Sequence, residues 1–239
     1  MLYEGRVNFK TRLKLKIQIN QYHLLSKECM EKMENKINYF KVLLSSVLAG
    51  MCIGIGGVVF LSLEDKLTGS FFFTTGLFVI CSMGLHLFTG KVCFIFDNRK
   101  EYLLSLPVIW IGNLFGTTLV AKLVSFSRIS GISQKAAELC AIKMSDTYIS
   151  LFVLGILCNI LIYIAVEGYR TIPYEAGKYL SLFFGVMVFI LCGYEHCVAD
   201  MFYFSASDMW SPEAFLRLFI ITMGNAIGGV LFPVLRHNI

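Results

Sequence analysis

Proline and charge are both scarce in this sequence. Of 239 residues, four are proline and 15% are charged, against 56% hydrophobic and a mean hydropathy of +0.69. So little charge excludes an ordinary soluble domain and a disordered chain alike. The eight cysteines, Cys29, Cys52, Cys81, Cys93, Cys140, Cys158, Cys192 and Cys197, form no C-x-x-C pair. Most lie inside apolar runs, where cysteine serves as a small buried apolar residue. Cys192, His196 and Cys197 match no zinc-ligand spacing, so neither a metal nor any other cofactor is expected. There is no phosphate-binding glycine loop of the G-x-x-x-x-G-K type, which leaves pumping by ATP hydrolysis unsupported. No secretory signal is expected, because the first forty residues are charged and no short apolar core precedes a cleavage site. The net charge of +5 does not indicate a nucleic-acid partner, because the basic residues gather at the N-terminus and between apolar runs.

What is abundant is glycine, twenty residues, in long apolar runs. Such runs suit helices that pack backbone to backbone in lipid. Residues 1–41 hold nine Lys/Arg and four Glu and read as a basic cytoplasmic arm, of which Leu25–Tyr39 has the pattern of an amphipathic surface helix. Six apolar spans follow within residues 42–236, at about Val42–Leu63, Ser70–Phe96, Leu103–Val124, Thr147–Val166, Tyr179–Phe204 and Ala214–Leu235. Each is long enough for a hydrocarbon core of about 30 Å. Six spans put both termini on one side. The N-terminus, the 2–3 and 4–5 loops and the C-terminus hold 15 of the 21 Lys/Arg residues, which assigns that side to the cytoplasm.

The halves of the chain, about 42–125 and 147–236, resemble each other. Gly112-Asn113 with Gly116 in span three recurs 112 residues later as Gly224-Asn225 with Gly228 in span six. The second span is interrupted at His86–Lys91 and the fifth at Gly193–His196. Three spans per half force the second half to enter the membrane inverted. Inverted repeats with paired broken helices are a recurrent plan of channels and transporters, and the breaks point to the pathway. A break is tolerated in lipid only where protein or a cavity satisfies the freed backbone groups. His196 is ionisable, costly at that depth, and therefore a functional candidate.

Taken in order, AGMCIGIGG (49–57), LFTG (87–90), GNLFG (112–116), Lys143 followed by Asn159 in LGILCN, GYEH with A-x-M-F (193–202), and GNAIGG (224–229) resemble the formate/nitrite transporter family. The resemblance covers about residues 40–235. It implies an all-α membrane protein with an aquaporin-like fold of two inverted three-helix repeats and broken helices 2 and 5. It also implies a homopentamer in the cell membrane with one pore in each protomer, and a channel for small monovalent anions (formate first, with nitrite or hydrosulfide behind it) rather than an enzyme. The resemblance makes Leu87 and Phe88 constriction residues and Thr89 a hydroxyl donor to the ion. Phe73 and Leu77 would narrow the cytoplasmic side, and Phe189 and Ile162 the opposite one. His196 becomes the central pore histidine, Asn159 and Asn225 amide donors, and Lys143 the source of a positive field at the outer vestibule.

Other readings of the same residues stay open. Lys143 would also fit a helix-end lysine reaching for the interface, and Asn113, Asn159 and Asn225 would fit interhelical hydrogen-bonding groups. Glu195 suits the ordering of a broken helix better than contact with an anion. Three positions depart from the family pattern: His86 where an acidic residue is usual, Asp200 where Asn is usual, and Glu167 where tryptophan is common. A membrane enzyme using His and Cys is the alternative of another class. For the channel, the chemistry expected is passage of the weak acid's anion coupled to a proton at His196, whose ordinary pKa near 6.5 suits such sharing.

Overall fold

The computed structural model describes residues 37–236. The basic arm and its possible surface helix therefore lie outside the described residues, save for the last few positions before the first span. The regular elements among the described residues are helical. They are α1 (Tyr39–Ser62), α2 (Lys66–Met83), the short α3 (Phe88–Lys91) with a 3₁₀ turn at Val92–Phe94, α4 (Lys100–Ser125), α5 (Ile132–Ser145), α6 (Tyr148–Thr171), α7 (Glu175–Cys192), α8 (Cys197–Ser207) and α9 (Pro212–Arg236). Six of them, α1, α2, α4, α6, α7 and α9, are long and apolar enough to cross a membrane. Their outward faces carry exposed Leu104, Phe115, Leu123, Phe184 and Phe219. That surface is unsuited to water and suited to lipid or to other apolar helices.

Two left-handed glycines shape the interior. α2 ends on Gly84 (φ 66°) and α7 on Gly193 (φ 70°), 109 residues apart. The residue after each closes the helix end with the same bond, Leu85 N–H to Ile80 O and Tyr194 N–H to Phe189 O, both 2.9 Å. Only glycine adopts this conformation cheaply, so each helix stops there. The first break thus spans Gly84–Leu87, a few residues before the interruption expected from the polar residues at 86–91. Thr89, Gly90 and Lys91 are already helical. The second break, Gly193–His196, lies where the sequence suggested.

The long helices pair closely through the repeat's own glycines. A Cβ on Gly116 of α4 would lie 2.0 Å from the carbonyl oxygen of Val47 in α1, and one on Gly228 of α9 would lie 2.1 Å from that of Ile156 in α6. Both contacts are to backbone, which cannot swing away. Residues 125–146, which read as a polar connection, form α5. It packs against α8 and carries Lys143 inward. Outside the spans, Lys135 of α5 meets Glu64 at 2.8 Å, and that hydrogen bond and charge hold the Glu64 carboxyl below its ordinary range. Being exposed, the tie contributes little to stability.

Gly228→Ala should therefore destabilise the fold by about 2 kcal/mol or more through overpacking. Gly131→Ala, with open space around it, should not. Thermal melts of the purified protein in detergent test this. Equal melting temperatures for the two variants would refute the close-packing account.

Candidate functional site

The two breaks free backbone N–H and C=O groups in the middle of the molecule, and two asparagines take them up. Asn113 Oδ1 accepts from Phe88 N–H at 2.8 Å, and its Nδ2 donates to His86 O at 3.0 Å and to Ser46 O of α1 at 2.8 Å. Asn225 repeats the pattern in the other half. Its Oδ1 accepts from Cys197 N–H at 2.9 Å, and its Nδ2 donates to Glu195 O and to Gly155 O of α6, both at 2.8 Å. In each case one side chain bridges the residue that starts the short helix, the residue two positions earlier, and a neighbouring span. A primary amide has one acceptor oxygen and two N–H donors. The amide donors of Asn225 are thus both committed to backbone, and the expectation that it donates to an ion is corrected.

These brackets bring the short helices together. His196 caps α8 by accepting at Nδ1 from Ala199 N–H, 3.1 Å away. Its Nε2 lies 2.9 Å from Thr89 Oγ1 of α3. A neutral imidazole that accepts at Nδ1 carries its proton on Nε2. Nε2–H therefore donates to Thr89, and the Thr89 O–H remains free to donate elsewhere. Asn159 of α6 donates from Nδ2 to Thr89 O at 3.1 Å, which fixes α3 against α6. Its Oδ1 is buried and unpartnered.

Apolar residues lie on both sides of this pair. Phe189 stacks on the His196 ring with centroids 5.5 Å apart and meets Phe73 edge to face at 6.3 Å. Phe73 and Phe189 therefore belong to one ring, not to opposite constrictions as expected. Leu77 and Leu87 line a cavity of about 510 Å³ together with Lys91, Tyr102, Val166 and Arg170. Ile162 is buried on α6, one helical turn before Val166. Phe88 is buried beside Thr89. The cavity opens among the 2–3 and 4–5 connections. Arg236, at the end of α9, reaches Glu167 there at 3.4 Å, so this is the side on which α9 ends.

Lys143 differs from expectation. It is buried and ion-paired with Glu195 and with Asp200, the latter at 3.0 Å. Its charge is matched by carboxylates, so it cannot supply an uncompensated positive field. His86 turns toward α1, with its backbone N–H donating to Ser45 Oγ at 3.1 Å. Among the cavity residues, Lys91 and Arg170 escaped the sequence reading. Lys91 was visible as a cation two residues after Thr89. Arg170 was not, because nothing in the sequence tells that the end of α6 folds over Phe94, where its guanidinium lies 4.3 Å from the ring centroid.

The sequence model described as Formate/nitrite transporter matches residues 20–238. The nitrite transporter NirC of Salmonella typhimurium is 30% identical over 220 residues, covering 81% of this chain and 80% of that protein. The formate channel FocA of Haemophilus influenzae is 25% identical over 255 residues, covering 85% and 90%. A solved pentameric formate channel with formate bound superposes with a TM-score of 0.73 at 26% identity, over 83% of this chain and 96% of that one.

Asn225→Leu should leave the Cys197 N–H and the Glu195 and Gly155 carbonyls unpaired, at about 1–3 kcal/mol for each buried group. We expect a large loss of folded protein in detergent, and the same for Asn113→Leu. A melting temperature unchanged in both would rule out the bracket.

Proposed function

The chain belongs to the formate/nitrite transporter family, and from that premise we propose that it is a proton-coupled channel for small monovalent anions, with formate the first substrate and nitrite or hydrosulfide behind it. By family it is a transporter, not an enzyme. We place it in the cell membrane as a homopentamer, with both termini cytoplasmic and a pathway through each protomer. The pentamer rests on likeness to the pentameric formate channel, the orientation on the Lys/Arg bias.

The observation that carries the reading is the Thr89–His196 pair, buried between apolar residues on either side. An anion crossing apolar rings loses its hydration, which must be replaced or made unnecessary. The free O–H of Thr89 replaces part of it. Lys91 and Arg170 raise the anion concentration in the cavity on the termini side. Coupling to a proton makes the rest unnecessary. A second proton on His196 would occupy Nδ1 and deprive Ala199 N–H of its acceptor, so the imidazolium is favoured only with an anion beside it. In the transfer, Nε2–H passes its proton to Thr89 Oγ1 while the Thr89 O–H gives its own to the anion. Imidazolium and anion become an imidazole protonated on Nδ1 and a neutral weak acid; a proton taken up from water at Nε2 and one released from Nδ1 restore the resting tautomer, and the acid crosses the apolar ring cheaply.

Uptake into proteoliposomes of formate, nitrite and hydrosulfide, each against empty liposomes, tests the function. The expected result is uptake of at least one. Absence of all three from folded, oligomeric protein would refute it. Thr89→Val should lower the flux by about tenfold, the effect of one lost hydrogen bond to a charged group. His196→Asn should flatten its dependence on pH. Unaltered flux in Thr89→Val together with unaltered pH dependence in His196→Asn would remove the pair from the mechanism.

A further inference from the structure

Lys143, on the last turn of α5, meets two carboxyl groups in the interior. Its Nζ contacts Glu195 Oε2 and lies 3.0 Å from Asp200 Oδ1. No other Asp or Glu among the described residues is buried. Asp200 Oδ2 is buried without a hydrogen-bond partner, and the two carboxyl groups share the one ammonium of Lys143. The remaining titratable groups around this cluster are Cys140 from α5, Cys158 from α6, and Cys197 and Tyr203 from α8 itself. His196 lies one turn before Asp200, its carbonyl accepting from Asp200 N–H at 2.9 Å. Arg217 of α9 donates to the backbone carbonyls of Lys143 and Asp146, at 2.9 and 2.6 Å, and to neither buried carboxyl. The charges acting on Asp200 are those of Lys143 and Glu195, with none from α1, α3 or α4.

One cation against two carboxylates would leave a net negative charge buried. Uncompensated charge is strongly unfavourable there, and like charges sharing one site do not ionise together readily. The unpartnered Oδ2 has the geometry of a carboxyl oxygen awaiting a proton. We infer that Glu195 and Asp200 hold a single proton between them above Lys143, and that its release in alkali lays a negative charge beside the His196 loop and suppresses anion passage. The proton leaves to water, and the cluster passes from neutral to singly negative. The shared proton rests on the geometry alone. The suppression rests on the anion-channel reading.

The test combines infrared spectra and anion flux of the reconstituted protein from about pH 6 to about pH 10, a window that spans the ordinary carboxyl-free range of titration. The wild type should carry the carbonyl band of a protonated carboxylic acid at neutral pH and lose it in alkali. Asp200→Asn keeps an acceptor for Lys143 but needs no proton, so the band should be absent. Its flux relative to the wild type should climb with pH to about tenfold, the effect of one charge about 10 Å away at an effective dielectric constant of about 20. Should Asp200→Asn fail to fold, Glu195→Gln makes the same test. No band at neutral pH overturns the shared proton. A band with a flat flux ratio overturns the switch. A band without wild-type flux at any pH strikes the transport reading and leaves the shared proton standing.

Discussion

A helix broken inside a membrane leaves backbone donors and acceptors that lipid cannot satisfy. In this protein the rest of the interior depends on how that is solved. Asn113 and Asn225 occupy equivalent places in the two halves, and each ties one break to one long helix. Because the halves are inverted, the two solutions face each other. The short helices α3 and α8 end up with their starting residues in contact, which is why Thr89 and His196 meet although 107 residues separate them. Close glycine contacts between α1 and α4, and between α6 and α9, hold the brackets in register.

Electrostatics then divides the interior into unlike ends. On the side where α9 ends, the cationic side chains of Lys91 and Arg170 border an open cavity. On the far side Lys143, the one lysine buried among the described residues, is tied to two carboxyl groups. Between them lie aromatic and aliphatic side chains, the Thr89–His196 pair and the Asn159 amide bonded to Thr89 O. The interior therefore carries cations at one end and almost no charge around Thr89 and His196. That pattern suits a species that sheds its charge to cross.

Much of this was legible in the sequence. The six spans followed from length and hydropathy, and the second break from Gly193 and the polar residues after it. The first break was placed a few residues late, because polar side chains mark a break less reliably than the left-handed glycine that makes it. The helix α5 is not evident from the sequence, since its polar composition resembles that of a connection and its inward face holds only Ile132, Ala136, Cys140 and Lys143. Phe73 and Leu77 share one face of α2, but they are a full turn apart along the axis. Spacing alone could not tell that Phe73 meets Phe189 while Leu77 lines the cavity. Asn225 figures as a donor to the ion only through the family resemblance, and the sequence does not say that backbone groups take up all its hydrogen-bonding capacity.

At the centre of the molecule His196 rests neutral, with Nδ1 accepting from the helix it caps and Nε2–H donating to Thr89. Nitrogen-15 NMR of histidine-labelled protein in lipid bilayers, near neutral pH, reads that state directly. One protonated Nε2 and one unprotonated Nδ1 for His196, identified by the resonance lost in His196→Asn, is the result expected. An imidazolium, or a proton on Nδ1, would contradict the geometry on which the pathway's chemistry is built.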